Sequence, residues 1–236
     1  MSVAVSHPQQ PPRPAVPPLE NGDRLTAPEF EKRYAAMPKL YKAELIDGIV
    51  YMSPPPVSDA FHSAPHFDLI GWLSAYRVVT PGVKGGDNGS LRLDLDNQPQ
   101  PDAYLRIATA LGQSKVDDEG YVEGAPELVA EVAASSASYD LHAKLNAYRK
   151  HGVREYIVWR VYDDVIDWMI LRDGKYEALP RSGGIYRSIV FPGLWLDAAA
   201  MVRGDVAMVH QILQQGLATP QHKDFIARIQ QQKPKA

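Results

Sequence analysis

Three residues carry the chemistry that this chain suggests: Asp102 behind Pro101, Glu131 inside LeuValAlaGluValAlaAla, and Lys144 in a short amphipathic stretch. An ionised glutamate in an apolar strand is costly to bury unless a cation or dense hydrogen bonding compensates it. Asp102 and Lys144 are the candidates to do so. If the strands bearing Asp102 and Glu131 are neighbours, their carboxylates can meet around a hard cation such as Mg²⁺, with Mn²⁺ as a substitute. Lys144 can then orient an attacking water or stabilise charge developing on a phosphate, which is what metal-assisted phosphodiester hydrolysis requires. Plainer roles are open to the same residues. Asp102 can be a strand-start residue, Lys144 a solvated helix lysine, and a buried Glu131–Lys144 ion pair without metal would also satisfy Glu131.

Other candidate groups point less sharply. Glu44 has the spacing of a surface strand residue, but it could orient the helix or join the site. His62 and His66 are four apart, yet Pro65 lies between them and no glutamate follows His62, which speaks against a helical zinc pair. Gly85-Gly86 lacks the lysine and following helix of a phosphate loop, so it is expected to be a turn. Ser135 and Ser136 suit capping or turn roles rather than nucleophilic ones. No serine–histidine–aspartate arrangement is legible.

The elements that must position these residues follow from pattern and punctuation. The 236-residue chain is 45% hydrophobic, enough for one sizeable core. It has no cysteine, so disulfides and thiolate metal sites are excluded and a metal must use oxygen or histidine ligands. That composition fits a reducing cytoplasm, and neither a transmembrane-length apolar run nor a signal-peptide core is present. A net charge of −3 leaves any contact with a polyanion to a local patch, for which Arg149, Lys150, His151 and Arg154 are the candidates.

Residues 1–22 form a proline-rich polar tail expected to stay outside the fold, ahead of a main domain over 23–203 and a helical extension over 204–236. The capping-box spacing at Thr26 and Glu29 predicts a helix to about Met37, with Phe30, Tyr34 and Met37 inward. Asp47-Gly48 predicts a hairpin, and a loop follows at Pro54 to Pro56. A helix is expected over about 65–78, with Phe67, Ile70 and Leu73 on its buried stripe. LeuArgLeuAspLeuAsp, to Asp96, alternates as a half-exposed strand, with the strand after Asp102 as its neighbour. Residues 108–124 read as a loop or small hairpin, and Glu127 to Ala134 as a central strand covered on both faces. From Tyr139 to His151 a helix is expected to end at Gly152, with Asp140, Lys144, Tyr148 and His151 on one stripe. GluTyrIleValTrpArgVal is a buried strand, Asp173-Gly174 joins a second hairpin, SerIleValPheProGlyLeuTrpLeu closes the core, and one or two helices follow Asp197.

The order ProAsp, GluVal with two serines, Asp140, Lys144, Tyr148 and GlyValArgGluTyrIleVal resembles the Uma-type putative restriction endonuclease family of the PD-(D/E)xK nuclease superfamily. GluLeuIleAspGlyIleValTyrMetSerProPro and PheProGlyLeuTrpLeu extend the likeness over roughly residues 40–200. The resemblance implies an α/β (α+β) restriction-endonuclease-like core, a mixed central sheet flanked by helices. It implies Mg²⁺ held by Asp102 and Glu131, Glu44 as the acidic residue ahead of them, and Lys144 as the lysine, supplied by the following helix. The superfamily's usual lysine lies two residues after the glutamate, where this chain has Ala133. The expected activity is metal-dependent endonucleolytic hydrolysis of nucleic acid, DNA foremost, and a symmetric dimer would suit cutting of two strands. The alternative is a catalytically inactive nuclease-fold module that binds nucleic acid or protein, because a fold hosts many functions.

Overall fold

The structure is a computed structural model and describes residues 16–40, 42–52, 58–134 and 140–232. Most of the proline-rich tail, Pro54 to Pro56, Ser135, Ser136, Tyr139 and the side chain of Asp140 lie outside the described set.

Among the described residues the strands are β1 (Ala43–Ile46), β2 (Ile49–Met52), β3 (Val83–Asp87), β4 (Leu91–Arg92), β5 (Ala103–Ile107), β6 (Lys115–Val116), β7 (Val122–Glu123), β8 (Leu128–Ala133), β9 (Glu155–Arg160), β10 (Val165–Arg172), β11 (Lys175–Ala178), β12 (Arg181–Ser182), β13 (Ile185–Arg187) and β14 (Trp195–Asp197). The α-helices are α1 (Ala27–Ala35), α2 (Ala64–Val78), α3 (Leu145–His151), α4 (Ala198–Val202), α5 (Val206–Leu217) and α6 (Pro220–Gln230). Single π-helical turns, Asp59–Ser63 and Asp140–Lys144, lead into α2 and α3.

The central sheet runs β11-β10-β9-β8-β5-β3 and is mixed: β8 and β9 are parallel, and every other pair is antiparallel. A parallel pair needs a crossover, and α3 provides it. All six residues of β8 are buried, as its near-continuous apolar run requires of a strand covered on both faces. Leu128, Ala130 and Val132 face the main core with Leu69, Trp72 and Tyr76 of α2. Val129 and Ala133 face a second core with Tyr148 of α3 and Tyr156 of β9. Glu131 shares the parity of Val129 and Ala133 and therefore points to the α3 side.

The Asp47-Gly48 and Asp173-Gly174 hairpins form as expected, with positive φ at both turn residues (48° and 73°; 48° and 74°). Such backbone suits a type I′ turn and is cheapest at Asp, Asn and Gly. β1 and β2 lie apart from the central sheet and build a third cluster with Phe30 of α1. Leu19, in the stretch expected to stay outside the fold, is buried in that cluster.

Five local expectations are corrected, the first being Gly85-Gly86, which lies inside β3 and pairs with Leu105 and Tyr104 of β5 instead of forming a turn. The predicted strand to Asp96 is only the two residues of β4, because Asp94 Oδ1 accepts hydrogen bonds from Asp96 N–H and Asn97 Nδ2 and bends the chain. β4 then pairs with β7 in a separate three-stranded sheet, while β5 pairs with β3 and β8. Thr26 makes no side-chain cap, and the Glu29 carboxylate turns to Arg33 at 2.7 Å, so the capping box is not formed. Phe67 is 77% exposed, and α2 buries Leu69, Trp72, Leu73 and Tyr76 instead. At the C-terminus three helices follow Asp197, whose side chain caps α4 at Ala200 N–H. Val209, Leu213, Phe225 and Ile229 of α5 and α6 belong to the main core, so the helical segment shares it with the sheet.

Candidate active site

Register brings the two carboxylates together. β5 runs Ala103 against Ala130 of β8, so one further step sets Asp102 beside Glu131. Asp102 Oδ2 accepts from the Val132 N–H at 2.8 Å, and the Asp102 N–H lies 3.4 Å from Glu131 Oε2. Each strand end thus holds the other's carboxylate in place. Pro101 offers no N–H at this point, which suits the start of a strand.

Lys144 closes the group from above. The π-helical turn ahead of α3 places its ammonium 3.0 Å from Glu131 Oε1 and 3.0 Å from Glu44 Oε1. One turn on, Tyr148 donates its hydroxyl to the same Glu131 oxygen at 2.9 Å. Glu44, on β1, also accepts from the Gln100 N–H at 2.7 Å, which ties the separate hairpin to the segment leading into β5. Glu44 is buried rather than on the surface, as are Asp102, Glu131 and Lys144. The structure therefore unites all four expected site residues.

Lys42 is the member that sequence reasoning missed. Its ammonium lies 3.2 Å from Asp102 Oδ1 and 3.4 Å from Asn88 Oδ1. The available signal was period two: Lys42 precedes Glu44 by two residues in extended chain, so both side chains leave the same face. The contacts then close a ring. Asn88 Nδ2 donates to Asp87 Oδ1 at 2.6 Å, and His66 Nε2 lies 3.2 Å from that oxygen and 2.9 Å from the Asp102 carbonyl. Both partners of Nε2 are acceptors, so it carries the proton there. His62 Nδ1 meets the Val132 carbonyl at 3.2 Å, and its ring stacks on His66 with centroids 5.6 Å apart. The two histidines thus brace the backbone beside Asp102 and Glu131.

Charge within the cluster is nearly balanced. Glu44, Asp102 and Glu131 face Lys42 and Lys144, leaving one net negative charge. Burial pushes the Asp102 carboxyl up, but Lys42, Lys144 and the Val132 N–H outweigh it and hold the group below its usual range. Burial likewise pulls the Lys42 ammonium down, and Asp102 and Glu44 more than reverse it, so Lys42 stays charged. Burial and the Glu131 charge push the Tyr148 phenol well above its ordinary value, which keeps it a donor.

The donor set suits a hard cation. Mg²⁺ ordinarily takes one or two carboxylates and keeps water or substrate phosphate oxygens for the rest. Asp102 and Glu131 offer that pair. Among the described residues no group of three or more His, Asp or Glu side chains is arranged as a metal cage, so a cation here would rest on these two carboxylates, water and substrate.

The expected basic patch beyond Lys144 is largely consumed within the molecule. Lys150 pairs with Asp47 at 2.8 Å, His151 meets Asp94 at 2.7 Å, and Arg149 donates to the Gly174 carbonyl at 3.0 Å.

The model of Uma2, described as a putative restriction endonuclease family, matches residues 27–199. The chain belongs to this family. The matched span runs from α1 into α4 and contains every site residue described above. Among solved structures the Uma2 chain is similar to a putative nuclease belonging to DUF820 from Anabaena variabilis, with 14% identity and a TM-score of 0.50. That likeness covers 72% of this chain and 97% of the other, and it speaks for the shared fold. No match was found among curated proteins. The family's description suggests a nuclease. No helix of the described residues is long and apolar enough to cross a membrane.

Proposed function

We propose that this protein is a Mg²⁺-dependent endonuclease that hydrolyses phosphodiester bonds of DNA, with Mn²⁺ as a substitute cation. The observation that carries this reading is the meeting of Asp102 and Glu131 across β5 and β8, with the Lys144 ammonium 3.0 Å from Glu131. Asp102 and Glu131 would hold the cation, which when bound would supply Lewis-acid stabilisation of phosphate charge and a more acidic water. Asp102 contributes a carboxylate that is ionised at neutral pH, since Lys42 and Lys144 hold its pKa down. Tyr148 and Lys144 fix the rotamer of Glu131 by sharing its Oε1. Lys144, held between Glu44 and Glu131, keeps positive charge beside the carboxylates. The buried walls exclude bulk solvent, which strengthens each of these interactions.

Purified protein incubated with supercoiled and linear DNA, with Mg²⁺, Mn²⁺ or a chelator, tests the reading. Cleavage should need the divalent cation, and Asp102→Asn and Glu131→Gln should each lower it by about 10²-fold or more while leaving the protein folded. Full metal-dependent cleavage by either variant would refute the assignment.

A specific observation favours one second reading. The two lysines already neutralise most of the cluster, and Ala133 stands at the superfamily's usual lysine position. A nuclease-fold module that binds nucleic acid without cutting would need no more than this. Calorimetric titration separates the two: no binding of Mg²⁺ or Mn²⁺ by the folded protein, with salt-dependent DNA binding retained, would favour the module.

A further inference from the structure

The two lysines of the cluster are not equivalent. Lys144 is 3% exposed, and its ammonium is held between Glu44 and Glu131 at 3.0 Å from each. Lys42 is 12% exposed, the most accessible charged group of the five. Its carboxylate contact, 3.2 Å to Asp102 Oδ1, is long beside the roughly 2.7–2.9 Å of strong charge-assisted bonds. The other contact, at 3.4 Å, is to the neutral Asn88 amide oxygen. Of the two ammonium groups it is the one with the longer carboxylate contact and the greater exposure, so it is the one an incoming anion would meet first.

Its position matters as much. Asp102 Oδ2 accepts from the backbone Val132 N–H, whereas Oδ1 has the Lys42 ammonium against it. A phosphate diester drawn to Asp102 by a cation would arrive beside Lys42. Asn88, with φ of 51° in the turn after β3, holds the lysine from the far side.

We propose that Lys42 is a second catalytic residue of the site, the cation that contacts the phosphate of the bound strand, while Lys144 positions Glu44 and Glu131. This rests on the nuclease reading above and deepens it. The contact is ionic hydrogen bonding only, and no bond forms or breaks at Lys42.

Three measurements test it, and the first, made in chelator, is independent of the reading it rests on. Binding of a labelled DNA duplex is followed by anisotropy across a salt series in chelator, for wild type, Lys42→Gln and Lys42→Arg. Loss of one phosphate contact should make the slope of log K against log salt shallower by about 0.9 in Lys42→Gln, with Lys42→Arg keeping the wild-type slope. Cleavage with Mn²⁺ should fall by about 10²-fold in Lys42→Gln and recover in part in Lys42→Arg. Calorimetric titration with Mn²⁺ should show Lys42→Gln binding the cation at least as tightly as wild type, because a like charge has left Asp102. A merely structural lysine would weaken it. If Lys42→Gln does not fold, Lys42→Met keeps the aliphatic stem and makes the same comparison. A reduced slope without cleavage by wild type would sink the nuclease reading and leave the phosphate contact standing. Robust cleavage with slope and rate unchanged in Lys42→Gln would overturn the inference and leave the nuclease reading intact. A wild type that binds no DNA would overturn the inference as well.

Discussion

Replacing Lys144 by Met removes the ammonium 3.0 Å from both Glu44 and Glu131 while keeping most of the buried stem. Glu131 would retain the Tyr148 hydroxyl at 2.9 Å and Glu44 the Gln100 N–H at 2.7 Å. Neither bond replaces the lost charge. Breaking a buried pair by removing one partner costs about 3–5 kcal/mol. In a domain of this size each kcal/mol moves Tm by about 2–4 °C, so the variant should melt about 6–20 °C lower at neutral pH. Thermal melting followed by circular dichroism at neutral pH measures the effect. The triple variant with Glu44→Gln and Glu131→Gln added should regain much of the stability, since no uncompensated charge remains. A Tm loss under about 2 °C at neutral pH would refute the view that Lys144 compensates these carboxylates.

Two further outcomes follow from sites away from the cluster. Glu155 is fully buried and accepts from Ser188 Oγ and the Ile189 and Val190 N–H groups, and burial pushes its pKa up. A raised folded pKa means a contribution that is present below the unfolded value and lost as pH rises through the folded one. Glu155→Gln should therefore gain on wild type from about pH 4 to pH 7 in urea midpoints, and a pH-independent difference would contradict this. Gly216, in the last turn of α5, has room for no more than hydrogen: an added Cβ would meet Trp195 Cγ at 2.7 Å and the Gly193 carbonyl. Gly216→Ala should cost about 1–3 kcal/mol, and an unchanged thermal melt would show that α5 can shift away.

What the chain discloses by itself depends on whether the cause is local. The two Asp-Gly turns were legible because positive φ at consecutive residues is a property of those residues alone. Glu131 was legible because a charge in a buried strand is anomalous wherever it occurs, but its pairing with Asp102 was conditional on the two strands being neighbours, which the register of β5 on β8 supplies. Lys42 carries no such anomaly: a lysine before a short strand looks solvated until β3 and β5 arrive beside it. Phe67 and β4 failed for the opposite reason. The apolar spacing of α2 does not say which of two overlapping stripes meets the sheet, and the alternation to Asp96 hides an aspartate whose side chain bends its own backbone. Tyr148 was placed on the right stripe, but its bond to Glu131 depends on how α3 lies over β8.

The single parallel pair in the sheet, β8 with β9, has a consequence for how the cluster comes into being. Glu131 and Lys144 are 13 residues apart and are joined by the start of the crossover itself, whereas Lys42 and Asp102 are 60 apart and meet only after the β1–β2 hairpin has docked on the segment leading into β5. Loop closure favours the nearer pair first. When the full chain refolds, Glu131 thus gains its counter-ion before Asp102 gains Lys42. A refolding chain halted part-way would carry Glu131 already paired with Lys144 while the Asp102 carboxylate still lacked Lys42, so the two halves of the cluster are separable steps of folding.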